Sequence, residues 1–160
     1  MNFAEKIDLL DKTLNRTLGA IGSADAKVAQ LFAISTGMLG FEATIVTHIK
    51  PFIWLDYLAV VTSILLLMFC VFSLSMVLYP RLLGPPASVL YFLEIAKNDG
   101  DCYKNKIDSL TDEDLFDDYA RQCHRNAEIA SDKFFWLRRA NVSLFISTIP
   151  WLFVVFIGYA

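Results

Sequence analysis

The apolar residues of this chain fall in blocks. The longest uncharged block is YLAVVTSILLLMFCVFSLSMVLY, residues 57–79. As a helix it is long enough to cross about 30 Å of hydrocarbon. VSLFISTIPWLFVVFIGY, residues 142–159, is a second span of near-minimal length, and VAQLFAISTGMLGFEATIVTHI, residues 28–49, is a third. The third is weaker because it holds Glu42 and several hydroxyls. Ahead of it, Phe3, Ile7, Leu10, Leu14, Leu18 and Ile21 recur at three- and four-residue steps between acids and bases. That spacing predicts an amphipathic helix. It either packs on the cytoplasmic part of a bundle or lies on the membrane surface, and its mixed charge favours packing. GSADAK then reads as a joint, with Ser23 as a cap leading into the first span. HIKPF reads as a tight hairpin, with Pro51 in the first turn of the second span.

Beyond Tyr79, PRLLGPPAS ends the second span, because three prolines and a glycine within seven residues forbid regular helix. A short helix is expected over 87–98, stopped by NDGD, and YKNKIDSLTDED reads as a polar loop with a short helical piece. Thr111 followed by Asp112, Glu113 and Asp114 reads as an N-cap with acids in the first turn. From there one helix runs into the last apolar block. Leu115, Tyr119, Gln122, Asn126, Ile129, Lys133, Trp136 and Ala140 step alternately by four and three, a seam facing partner helices. Asp117, Asp118, Arg125, Asp132 and Arg139 fall on the other faces and read as solvated surface. Gln122, Asn126 and Lys133 therefore sit on the side to be buried. An unpartnered buried polar group costs a few kcal/mol, so either neighbouring helices satisfy the trio or a ligand does. Asp25, beside Lys27, extends the N-terminal stripe inward, and Arg81 leaves the second span at similar depth. Asp25, Arg81 and Lys133 are expected in one layer just beneath the membrane.

Composition and charge sharpen this picture. Of 160 residues, 56% are hydrophobic and 19% charged, less charge than a soluble domain of this length normally carries. Acidic Glu5, Asp8 and Asp11 stand where a signal peptide would be basic, so all residues are expected in the mature chain. Lys and Arg concentrate before the first span and between the second and third. By the positive-inside rule the N-terminus and the middle region are cytoplasmic. Cys102, Cys123 and His124 lack paired metal-ligand spacing, so no metal is expected. His48 and His124 fall on opposite sides of the membrane in this topology, which argues against catalysis. Charges inside membranes are expensive. Glu42 and Asp56 either line a polar path in an oligomer or sit near the outer headgroups.

The expected fold is thus an all-α membrane protein with three transmembrane helices, an N-terminal amphipathic helix, and a cytoplasmic helical bundle continuous with the last span. The expected organisation is a cytoplasmic helix at 1–24, a transmembrane hairpin at 25–79 (spans about 28–49 and 57–79), a cytoplasmic helical region at 80–140 and the third span at 141–160.

Three stretches carry a family resemblance: Ala24-Asp25-Ala26-Lys27 running into the first span; Pro80-Arg81 followed by Ser88, Tyr91 and Phe92; and Gln122, Asn126, Ile129, Ala130 and Lys133 before the last span. In order and spacing these resemble the small transmembrane effectors of bacterial Pycsar antiphage systems. The resemblance implies an effector in the bacterial inner membrane that answers a cyclic pyrimidine mononucleotide, cCMP or cUMP, made by a companion cyclase. It further implies membrane impairment and abortive infection, with no resident cofactor and no nucleic-acid partner. No P-loop or glycine-rich dinucleotide turn is present. If the nucleotide binds directly, Arg81 or Lys133 suits its phosphodiester, with Lys27 and Asp25 in the same layer. Gln122 or Asn126 suits the pyrimidine edge, and Tyr91 or Phe92 its face. Several copies are expected, since three spans cannot enclose a wide pore alone. The alternatives are a membrane anchor recruiting a soluble partner through the acidic 112–118 face, and a related effector answering cyclic oligonucleotides.

Overall fold

The computed structural model describes residues 1–47 and 53–159. It is helical: α1 spans Phe3–Val46, α2 Trp54–Leu78, α3 Phe92–Ala96, α4 Gly100–Asp108 and α5 Asp112–Tyr159. No strand occurs among the described residues. Three helices, α1, α2 and α5, are long and apolar enough to cross a membrane. The hairpin expected at HIKPF lies outside the described residues. By its contacts the chain forms two compact units, residues 1–22 with 80–132, and residues 23–79 with 133–160. Helices α1 and α5 each contribute to both.

The joint expected at 22–27 is absent, and α1 continues through it for 44 residues. Gly22 and Ser23 are weak helix formers, but each costs only about 1 kcal/mol or less. Ala20, Ala24 and Ala26 surround them, and no proline intervenes. Pro150 likewise lies within α5 rather than ending it. Proline is tolerated in apolar helices because unwinding them in hydrocarbon would strand more backbone groups than the ring does.

In the unit of residues 23–79 and 133–160, the three apolar helices share one core. Ala24 and Val28 of α1, Leu67 and Leu74 of α2, and Ala140 and Leu144 of α5 belong to it. Ile45, Val60 and Val154 form a second cluster. The remaining interior is small and polar, with Ser35, Ser63, Ser73 and Ser147 fully buried. Small residues let helix backbones approach where no hydrophobic force drives association. Trp151 Nε1 donates to the Met38 carbonyl at 3.1 Å and Ser143 Oγ to the Leu66 carbonyl at 2.6 Å. The large apolar residues, Leu65, Met68, Phe72, Phe145, Ile149 and Phe156 among them, face outward, as helices in a bilayer require.

The other unit packs the first part of α1 on the first part of α5. Cys123 Sγ reaches the Leu10 carbonyl at 3.2 Å. Burial pushes the Tyr119 phenol above its ordinary value, with Asp11 adding to the effect. The N-cap at Thr111 forms as expected: the Asp114 amide donates to Thr111 Oγ1 at 3.2 Å. Bonds from Thr111 hold the Asp114 carboxyl below its usual range.

One expectation in the middle region is corrected. The helix expected over 87–98 shrinks to the five residues of α3. It starts only after Tyr91, whose extended backbone (φ −86°, ψ 120°) makes it the N-cap; ahead of it the amides of Val89, Leu90 and Tyr91 donate to side chains of Ser88 and Asp118. Ala87 adopts a φ of 60°, a left-handed conformation costly for alanine. The Ala87 carbonyl receives Lys106 Nζ at 2.7 Å. The short helical piece expected within YKNKIDSLTDED is α4, nine residues long, which starts earlier, at Gly100, and ends at Asp108. Asp99 starts it by accepting from the Cys102 amide at 2.7 Å, so NDGD begins one helix as well as ending another.

A Cβ at Gly22 would meet nothing within 4 Å. Gly22→Ala is therefore expected to stabilise the protein by up to about 1 kcal/mol. Ser23→Pro should cost about 3 kcal/mol or more by removing a bond in an unbroken helix. Thermal unfolding in detergent checks both, and equal melting points for Ser23→Pro and the parent would mean that α1 is not continuous there.

Candidate functional site

The unit of residues 1–22 and 80–132 holds a cleft of about 320 Å³. Its polar lining is Arg81, Tyr91, Gln122, Arg125 and Asn126, and its apolar lining includes Phe92. Two cations line it and no carboxylate does.

The wall formed by 80–91 owes its shape to α5. Asp118 is buried, and its Oδ2 accepts from Ser88 Oγ at 2.9 Å, the Val89 amide at 2.8 Å and the Leu90 amide at 3.2 Å. One turn along, Gln122 Nε2 donates to Ser88 Oγ at 2.9 Å. Ser88 Oγ in turn accepts from the Leu90 and Tyr91 amides. This cluster ties a proline-rich loop to a helix and points Tyr91 back along the loop, where its hydroxyl donates to the Leu82 carbonyl. Gly84 sits directly under the ring: a Cβ there would lie 2.3 Å from the Tyr91 ring. Tyr91 and Phe92 meet edge to face at 5.1 Å.

The two cations are held differently. Arg125 Nε donates to the Leu83 carbonyl at 2.7 Å and its Nη1 to Glu128 at 2.9 Å. That pairing keeps the Glu128 carboxyl below its ordinary value. Arg81 Nε stands 3.6 Å from Asp132, while its Nη1 is buried and has no hydrogen-bond partner among the described residues. A buried guanidinium N–H left unbonded is costly and suits an incoming anion. Asn126 Nδ2 donates to the Gln122 carbonyl at 2.9 Å. Chemically the cleft offers a planar cation, side-chain amides and an aromatic edge.

Five of the residues singled out from the sequence thus line one cleft: Arg81, Tyr91, Phe92, Gln122 and Asn126. Three do not. Lys133 pairs with Asp25 at 2.5 Å in the other unit, where Lys27 is exposed. Glu42 is buried there too, with Ser63 Oγ donating to its Oε2 at 2.8 Å and Oε1 left without a partner among the described residues. Asp56 accepts from the Ile53 amide at 3.0 Å and so caps the start of α2.

Asp118 and Arg125 correct the sequence reading, which put both on the solvated face. Asp118 stands four residues before Gln122, and Arg125 three after it and four before Ile129. Those spacings place each on the seam side. Periodicity carried the signal; the assumption that a charge must face water hid it.

An all-helical protein with three apolar helices long enough to cross a membrane is a membrane protein. The Pycsar effector protein domain model matches residues 9–160. The chain belongs to this family and is an antiphage defence effector. No match was found to a characterised protein or to a solved structure.

Asp118→Ala should strand the Ser88 hydroxyl and the Val89 amide and cost about 1–3 kcal/mol, seen as a lower melting point. Asp118→Asn, which keeps an acceptor, should cost less. Equal losses would show that the carboxylate oxygen is not what anchors the loop. Gly84→Ala should also lower the melting point, since neither the ring nor the loop it is bonded to can move freely. An unchanged melting point would mean that the ring swings aside.

Proposed function

We propose that this effector senses a cyclic pyrimidine mononucleotide, cCMP or cUMP, directly in the cleft between the 80–92 segment and α5, and responds by impairing the bacterial inner membrane. The single observation that carries the reading is Arg81, which lines a small cleft with Arg125 and no acid and whose buried Nη1 has no hydrogen-bond partner among the described residues. A volume of about 320 Å³ is at the small end of ligand sites, in keeping with a mononucleotide. Arg81 takes the phosphodiester, with Arg125 beside it. Asn126 and Gln122 read the pyrimidine edge, and Tyr91 or Phe92 packs on its face. Asp25, Lys27 and Lys133 do not contact the nucleotide. The companion cyclase expected of a Pycsar system supplies the signal.

The response runs through α5, one unbroken helix whose residues belong to both units. A ligand that favours one position of the 112–132 stretch over another biases the apolar stretch that follows it. The segments carrying most of the Lys and Arg face the cytoplasm, where the nucleotide is made. Several copies act together, because three spans cannot enclose a wide path alone. Infected cells then stop growing, without any catalytic step by this chain.

The test is thermal unfolding of the purified full-length protein against cCMP, cUMP, their purine counterparts and cyclic dinucleotides. One cyclic pyrimidine mononucleotide is expected to raise the melting point selectively. Arg81→Gln should weaken that binding by about tenfold or more, the loss of a charge-assisted bond, and Asn126→Ala should reduce base selectivity. Lys133→Ala should leave affinity nearly unchanged. A shift with cyclic dinucleotides alone would favour an effector of oligonucleotide signals, and no shift with any of them would reject direct sensing.

A further inference from the structure

The unit of residues 23–79 and 133–160 contains a groove of about 610 Å³ between α2 and α5. Leu66 and Phe69 of α2 and Val142 and Ile146 of α5 give it apolar walls. The Ser143 hydroxyl, which also lines it, is spent on the Leu66 carbonyl and pins the two helices together at the floor. Arg138 and Arg139 line the same groove, one to two turns before Val142 and Ile146, and no carboxylate does.

These two arginines differ from the others that line clefts. Arg81, Arg121 and Arg125 each lie within 4 Å of a carboxylate. Among the described residues neither Arg138 nor Arg139 has such a partner, and both are exposed. Arg139 is held in place by other means: its guanidinium carbon sits 4.0 Å from the Phe135 ring centre and 5.1 Å from that of Trp136. A guanidinium stacked on rings keeps its N–H donors free at the edge. The result is two cations, Arg139 held by its ring contacts and Arg138 beside it, lining an apolar groove between helices long and apolar enough to cross a membrane.

We propose that this groove binds an anionic phospholipid of the surrounding bilayer, with its phosphate on Arg138 and Arg139 and an acyl chain between α2 and α5. Charge selects the headgroup, since planar guanidinium forks match phosphate oxygens in pairs. The apolar walls select a chain, which a free phosphate lacks. Basic pockets between membrane helices recognise anionic headgroups by the same physics. A second copy seated symmetrically on this face would bring the same two cations together, so lipid is the better occupant. The bound lipid bridges α2 and α5, and the resting state of the effector then depends on the anionic lipid content of the membrane.

The full-length protein, purified in mild detergent, is mixed with equal amounts of phosphatidylglycerol and phosphatidylcholine, and the retained lipid is read by native mass spectrometry. Phosphatidylglycerol is expected to be retained over phosphatidylcholine by about tenfold, equal to about 1.4 kcal/mol. The Arg138→Gln/Arg139→Gln double variant should reduce that ratio to near one, whereas Arg121→Gln should leave it unchanged. Ile146→Trp, which fills the groove under intact arginines, should reduce retention of both lipids; the melting point of each variant reports whether it is folded. Glycerol phosphate, which has no chain, should not compete. Equal retention of the two lipids, or a ratio indifferent to the double variant, overturns the proposal. So does competition by glycerol phosphate, which would mark a simple phosphate site, or cross-linking of two copies through this face.

Discussion

Backbone amides and carbonyls have no water to bond inside hydrocarbon, so every such group in a span must be satisfied within the chain. That constraint makes the apolar stretches helical from end to end. It holds α1 together across Gly22 and Ser23 and carries α5 through Pro150. It also defines the difficulty of the 79–91 segment. There the prolines remove donors and forbid a ladder, yet the loop packs against α5 with its remaining amides partly buried. The carboxylate of Asp118 and the hydroxyl of Ser88 take those amides in place of a helix. The cleft exists because this substitution holds the loop at a set distance from α5.

Polar side chains in the interior meet the same constraint in different ways. Gln122 donates to Ser88, Lys133 pairs with Asp25 and Asp56 caps α2. Glu42 is half satisfied, by Ser63 alone. Of the buried side-chain atoms outside the membrane-spanning helices, Arg81 Nη1 is the one left bare among the described residues. Such an atom adds nothing to stability, and it belongs to a residue that lines a cleft without carboxylates. Arg138 and Arg139 differ from Arg81: neither has a carboxylate partner among the described residues, and both line a groove with apolar walls.

The Pycsar effector family gives these features their biological setting. A defence effector must stay silent in a healthy cell and act when a signal appears. The cleft is lined by residues of α5, the helix that continues into an apolar stretch long enough to cross a membrane.

Much of this was legible before any coordinates. Uncharged runs long enough to cross a bilayer fix the helical class, because hydrocarbon permits few alternatives. The alternating steps from Leu115 to Ala140 put Gln122 and Lys133 on a buried face, which the fold bears out, because helical periodicity is local. The Thr111 cap was legible for the same reason. What the sequence could not decide was which polar groups meet. Asp118 looked like solvated charge until a loop thirty residues earlier brought three donors to it. Lys133 and Asp25 were expected in one layer as candidates for a ligand, but only the fold shows that they pair with each other. Arg81, three residues before a glycine that lies under the Tyr91 ring, could be named but its partners could not. Those pairings depend on contacts far apart in the chain, and only the tertiary structure settles whether a buried charge is already satisfied or still waiting for a partner.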